Sequence, residues 1–291
     1  MAAKFIPRQF FPNYGSIPRS YYLGHHRAGL KKMKNMLSSV DYVVECRDYR
    51  VPVTFWINRT AINVSSILKH LREDAEGPDK IVGCRVMVVG MPNVGKSTLI
   101  NNLRNQGVGK AKAVQTGGQP GITRKIGSPV KIIERMNGSH VYVLDTPGVF
   151  MPYVPDAENM LKLALCGCVK DSVISPVTLA DYLLYHINLH DAQVYERWSP
   201  PTNEIMSLLN SFARYSGHLA KGGIPNIDLA AQHFIQKWRS GSLGRFLLDD
   251  LQAEERHRQE GAKDQVGISI TQALRAERKS KKRDNPSCSK E

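Results

Sequence analysis

The residues from Gly90 to Ser97, GMPNVGKS, match G-x-x-x-x-G-K-[ST], the spacing of a phosphate-binding loop. Each residue type answers a demand of polyphosphate chemistry. Gly90 and Gly95 let the backbone wrap closely round phosphate oxygens. The loop N–H groups, from Asn93, Val94 and Gly95 through Lys96, Ser97 and Thr98, then face the anion together with the positive end of the following helix. Lys96 has the length to reach the β- and γ-phosphates, and the Ser97 hydroxyl is a hard ligand suited to Mg²⁺. The flanks agree with this chemistry. RVMVVG, residues 85–90, is a short apolar run that predicts a buried strand, and LINNLRN predicts a helix.

A second constellation lies downstream. SHVYVLDTPGV alternates like a strand and ends in Asp145-Thr146-Pro147-Gly148. An Asp at the end of a second buried strand brings a carboxylate to the Mg²⁺ shell, and Gly148 can offer its N–H to a γ-phosphate. VKIIERM and SHVYVLD flank Asn137-Gly138, a type I′ hairpin signal. Between the two constellations runs QGVGKAKAVQTGGQPGITRKIG, rich in Gly and Lys and without a core pattern, as functional loops are. Thr123 is its candidate switch residue, with its hydroxyl on the metal in the triphosphate state; an ordinary loop threonine is the plain alternative. Lys96, Thr123 and Gly148 are thus the expected groups around the transferred phosphate, and Ser97, Thr123 and Asp145 the expected metal ligands.

GMPNVGKSTLINNL, PGITR and DTPGV resemble the motifs of the circularly permuted P-loop GTPases, and within them the mitochondrial ribosome-associated members and their bacterial ribosome-biogenesis relatives. YYLGHHRAGLKKMKNMLSSVDYVVECRDYRVPV (21–53) and GSLGRFLLDDL (241–251) resemble the same family, so the likeness covers most of residues 20–251. The resemblance implies GTP and GDP as ligands with Mg²⁺, and a K⁺ ion on Asn93, for which a merely loop-shaping Asn is the alternative. It implies slow hydrolysis, because Val149 stands where a Ras-type enzyme places a water-orienting Gln. It also implies a guanine-specificity motif, Asn-Lys-x-Asp, upstream of the phosphate loop. No such motif stands there, and none follows Gly148, where PNIDLA lacks the lysine. The stretch from Thr54 to Cys84 is too short for two more strands with their helices, at roughly 30 residues per βαβ unit. The chain reads as a family member with an internal deletion, which leaves guanine selectivity and the completeness of the sheet open.

The elements that must hold these groups fit a chain of 291 residues, with 42% hydrophobic and 23% charged residues, which excludes a disordered chain, a collagen or a coiled-coil rod. A net charge of +14 favours an anionic partner such as RNA. Five scattered cysteines exclude a disulfide framework, and Cys166 and Cys168 read as small residues on a helix near the core. After Phe150 the period turns helical, with Asp156, Ser175 and Thr202 near helix starts and Tyr182, Phe212 and Trp238 as core aromatics. His186, His190, His218 and His233 show no metal-ligand spacing with acidic partners. The first 40 residues hold no Asp or Glu, as mitochondrial transit peptides do; an exposed basic arm that touches RNA is the alternative. The end of the chain, with Lys279, Lys281, Lys282 and Arg283, reads as a charged tail.

The expectation is therefore an α/β P-loop NTPase, a permuted GTPase domain, with a C-terminal helical domain. Its divisions are 1–20 a transit peptide or basic arm, 21–150 an incomplete GTPase domain, 151–251 helical, and 252–291 tail. The family resemblance makes it a slowly hydrolysing assembly factor for the mitochondrial large ribosomal subunit, bound to rRNA. It is expected as a monomer in the matrix or peripheral to the inner membrane, with no transmembrane segment. Two rivals remain: a nucleotide-promiscuous or inactive scaffold that binds rRNA without switching, and a P-loop ATPase or kinase.

Overall fold

The computed structural model describes residues 5–12, 17–18, 24–51, 63–75, 83–110, 113–114, 117, 126–135, 140–149, 154 and 157–249. The short apolar runs form β1 (Tyr42–Cys46), β2 (Cys84–Gly90), β3 (Val130–Ile133) and β4 (Val141–Asp145), in the sheet order β1-β2-β4-β3. β1, β2 and β4 are parallel, and β3 runs antiparallel to β4. β2 is apolar along most of its length because both faces of the sheet are covered. On one face α2 (Val64–Ala75) and α3 (Lys96–Val108) pack Leu68, Leu71, Ile100 and Leu103 against Val86, Val88, Val141 and Val143. On the other, Met33 of α1 (Gly24–Met36) meets Met87 and Leu144. The predicted strand, loop and helix around Gly90–Ser97 are all present, and so is the β3–β4 pairing, although Asn137 and Gly138 lie outside the described residues.

The second part is helical: α4 (Ala157–Leu165), α5 (Pro176–His190), α6 (Ile205–Ser216) and α7 (Ile227–Arg239). Tyr182, Phe212, Phe234 and Trp238 are buried in one core, as the helical period required. Truncating one such aromatic to Ala costs about 3–5 kcal/mol. Three local expectations change. Cys166 and Cys168 are buried but lie past the end of α4, in a turn made by Gly167 at φ 80°. Ser175 precedes Pro176, but its side chain caps nothing. Thr202 is not the cap of α6: the Glu204 carboxylate accepts from the Met206 N–H, and the Thr202 hydroxyl accepts from the Glu204 N–H one step earlier. Asp156 lies outside the described residues.

The region expected as a leader or free basic arm packs against the helices where it is described. The Arg8 guanidinium donates to both carboxylate oxygens of the buried Asp181, at 2.6 and 3.3 Å. Asn203 donates to the Ile6 carbonyl, and the Phe11 ring meets Tyr182 edge-on at 5.0 Å. The tail from 250 onward, with Lys279 to Arg283, is outside the described residues. Among the described residues no helix is long and apolar enough to cross a membrane.

Candidate functional site

β2 delivers Gly90 to the loop at the carboxyl end of the sheet, and α3 begins at Lys96. Gly90 has φ 147°, and a Cβ there would stand 2.3 Å from the Cys46 carbonyl oxygen of β1, so only glycine fits. Asn93 at φ 64° and Gly95 at φ 91° complete a turn that points successive N–H groups inward. No side chain caps α3, which leaves the N–H groups of its first turn facing the loop's hollow. Lys96 is only 6% exposed and folds back, with Nζ donating to the carbonyls of Gly90 at 3.1 Å and Met91 at 2.6 Å. Burial lowers its pKa, and the charge of Asp145 works against that fall. A phosphate in the hollow would supply the counter-charge that carbonyl dipoles only approximate.

The downstream constellation joins this loop. Ser97 Oγ donates to Asp145 Oδ2 at 3.2 Å, and Asp145 is 2% exposed at the end of β4. A hydroxyl and a carboxylate this close are the hard-oxygen donors that Mg²⁺ takes from a protein. Among the described residues no cluster of three or more His, Cys, Asp or Glu side chains forms a metal cage. Two protein ligands, completed by phosphate oxygens and water, are what a nucleotide-bound Mg²⁺ needs, so the donor set fits that ion. Thr146 Oγ1 donates to the Val88 carbonyl at 2.6 Å and locks β4 to β2 just below the site. Gly148 approaches so closely that a Cβ would lie 2.6 Å from Pro92 Cα, and the Val149 N–H donates to the Gly90 carbonyl at 3.1 Å. The Asp145–Gly148 segment and the phosphate loop are thus one assembly.

The sequence-derived set comes together as follows. Lys96, Ser97, Asp145 and Gly148 all meet at the phosphate loop: Lys96 Nζ and the Val149 N–H donate to the same Gly90 carbonyl, Ser97 meets Asp145, and Gly148 packs on Pro92. Val94 turns its side chain to the helical core, leaving only its backbone for an anion. Thr98 is exposed. Thr123 lies outside the described residues; nearby Gly127 donates its N–H to the Asp145 carbonyl at 3.0 Å.

Other participants had no local signal in the sequence. The carbonyls that end α4 collect donors from three directions. Asn93 Nδ2 donates to Gly167 O at 3.2 Å, Arg50 Nη2 to Cys166 O at 3.2 Å, and Arg239 to Leu165 O at 2.9 Å and Ala164 O at 2.8 Å. Two guanidinium groups suit the negative end of a helix dipole. Burial works against the Arg50 charge, yet its hydrogen bonds to Asp48, the shorter at 2.6 Å, hold its pKa above the ordinary range. Burial pushes the nearby Cys168 thiol up to about 12, so it stays protonated.

A loop–helix phosphate cradle joined to a carboxylate strand and a D-x-x-G turn defines a P-loop GTPase, here with β1 preceding the loop strand in the chain. A family model described as 50S ribosome-binding GTPase matches residues 85–212. Mitochondrial GTPase 1 of Schizosaccharomyces pombe is 33% identical over 317 aligned positions, covering 86% of this chain and 95% of that protein. Mitochondrial ribosome-associated GTPase 1 of Bos taurus is 31% identical over 307, covering 83% of this chain and 92% of that protein. A solved structure titled as GDP-bound YlqF is 22% identical with a TM-score of 0.46, covering 76% of this chain and 99% of that one. The chain belongs to the mitochondrial GTPase 1 family of P-loop GTPases. The 317 positions shared with the S. pombe protein span 86% of 291 residues, so about 67 face a gap in this chain, roughly two βαβ units' worth.

Proposed function

We propose that the hollow between Gly90 and Gly148 binds GTP with Mg²⁺, hydrolyses it slowly, and couples its occupancy to assembly of the mitochondrial large ribosomal subunit. The observation that supports the reading is the convergence of Lys96, Ser97, Asp145 and Gly148 on the phosphate loop, with Ser97 and Asp145 at 3.2 Å and Gly148 against Pro92. When bound, Mg²⁺ would neutralise charge on the β- and γ-phosphates. Lys96 exchanges its carbonyl partners for phosphate oxygens, the N–H groups from Asn93 to Thr98 hold the anion, and Gly148 offers its N–H to the terminal phosphate. The Thr123 hydroxyl would be a further ligand for the metal in the triphosphate state, and Asn93 would supply a neutral oxygen to K⁺. Val149 gives no group to orient water, which keeps the intrinsic rate low. A charge of +14 suits rRNA, and the name of the Bos taurus relative, mitochondrial ribosome-associated GTPase 1, supports a ribosomal partner.

Calorimetric titration of the full chain with a non-hydrolysable GTP analogue and Mg²⁺ tests the site. Wild type binds and Lys96→Ala does not; equal affinity in the two would remove the phosphate assignment. Co-sedimentation with mitochondrial large subunits, greater with the analogue than with GDP, tests the partner.

A further inference from the structure

We propose that this phosphate cradle does not read the base, and that the chain takes purine nucleoside triphosphates generally, ATP about as readily as GTP. The inference rests on the nucleotide reading above and widens its ligand from GTP to a substrate class.

Three observations carry it. First, β1 and the loop strand β2 are neighbours in the sheet, parallel along Tyr42–Cys46, and joined through α2 alone among the described residues. The undescribed parts of that connection, 52–62 and 76–82, are far shorter than the roughly 30 residues of a βαβ unit. Among the described residues no strand stands beyond β1 in the sheet, and Val43 on β1 is 52% exposed. The gap of about 67 positions against the S. pombe relative is of the size two such units would fill.

Second, the strongest way to tell guanine from adenine is a carboxylate that accepts charge-assisted hydrogen bonds from guanine's N1–H and N2–H donors. Sites built to hydrogen-bond a group reject its analogue strongly because their own polar atoms would be left unpaired. The carboxylates on this side are already engaged. Glu45 is paired with Arg47 at 2.7 Å, and both oxygens of the buried Asp48 accept from Arg50. Third, from Tyr49 to Arg72 the chain holds no Asp or Glu at all, so neither the stretch after β1 nor the first turns of α2 can supply one. The groups that the phosphate loop itself offers are backbone N–H groups and Lys96, which suit a phosphate whatever base follows it.

Displacement of a fluorescent GTP analogue from the full chain, with Mg²⁺ present, decides it. GTP and ATP should displace with affinities within about 30-fold of each other, and inorganic tripolyphosphate should compete. A carboxylate reading guanine through two charge-assisted hydrogen bonds would separate the purines by roughly 10²- to 10⁴-fold. A GTP preference above about 30-fold overturns the inference and leaves the nucleotide site standing. Failure of the analogue to bind overturns the nucleotide reading and this inference with it. As a second readout, Glu45→Ala should leave the GTP to ATP ratio unchanged; a selective loss of GTP would mean that Glu45 reads the base.

Discussion

The side-chain amide of Asn93 and the main-chain carbonyl of Gly167 lie 3.2 Å apart, so the phosphate loop is fastened by one side chain to the turn that ends α4. The same turn receives Arg50 from the loop after β1 and Arg239 from α7. A ligand that reshaped the loop around Asn93 would reach the helical half through this contact. Asn93→Gly probes it, because glycine keeps the φ of 64° while the side chain is removed. The loss should be about 1 kcal/mol, or roughly 2–4 °C in Tm for a chain of this size. Thermal melts of the two proteins measure it, and equal Tm values would show that the contact contributes nothing. If Asn93 also holds K⁺, exchange of KCl for NaCl should slow hydrolysis in wild type but not in the variant.

Gly148 is a sharper probe of the junction between the two motifs. A Cβ there meets three atoms of Pro92 at 2.6 Å, two of them main chain, so no rotamer change relieves the clash. Gly148→Ala should force the D-x-x-G turn away from the phosphate loop. The expected result is destabilisation by about 1–3 kcal/mol with at least a tenfold loss of GTP affinity. Titration and melts check the two halves of that statement, and unchanged affinity would mean that the turn does not border the nucleotide.

The phosphate cradle was legible because its residue types answer local demands. Gly90 must admit the Cys46 carbonyl, Lys96 must span to phosphate, and an apolar strand must end in Asp145. The ties at the end of α4 were not legible, because they join residues far apart in the chain through carbonyl oxygens, which every residue possesses. Cys166 and Cys168 carry a helical period that Gly167 cuts short, and only the φ of 80° shows it. The basic N-terminus illustrates the same limit. Composition there fits import or RNA contact, yet Arg8 is matched to Asp181, a partner on α5 that no local pattern announces.

That pairing is testable. Arg8 donates to both Asp181 oxygens, and the carboxylate side chain is 9% exposed. Removing Arg8 leaves a buried charge, which costs about 3–5 kcal/mol in a fully buried pair. Because the Arg8 side chain is 24% exposed, water would screen part of this, and about 2 kcal/mol is the expected loss for Arg8→Ala. Asp181→Ala added to Arg8→Ala should recover much of it. A double variant that is simply the sum of the two single variants would show that the pair is not coupled.

The last prediction concerns pH. His186 of α5 is buried between the rings of Tyr182 and Tyr185, with Lys162 of α4 and His190 of α5 as the charged or titratable groups that depress it. Burial first, then Lys162 and His190, lower its pKa from 6.5 to about 3. The folded protein therefore keeps this imidazole neutral at pH values where the unfolded chain would protonate it. Its contribution to stability is full above about pH 6.5 and is lost progressively as pH falls toward about 3. At pH 5 the loss from this one group should be about 2 kcal/mol, at about 1.4 kcal/mol per pH unit. Urea unfolding at pH 7.5 and pH 5 reads it directly. His186→Phe keeps an aromatic ring in the same apolar setting and cannot be protonated, so its stability should change less between the two pH values. An equal fall in wild type and variant would assign the acid sensitivity to other groups.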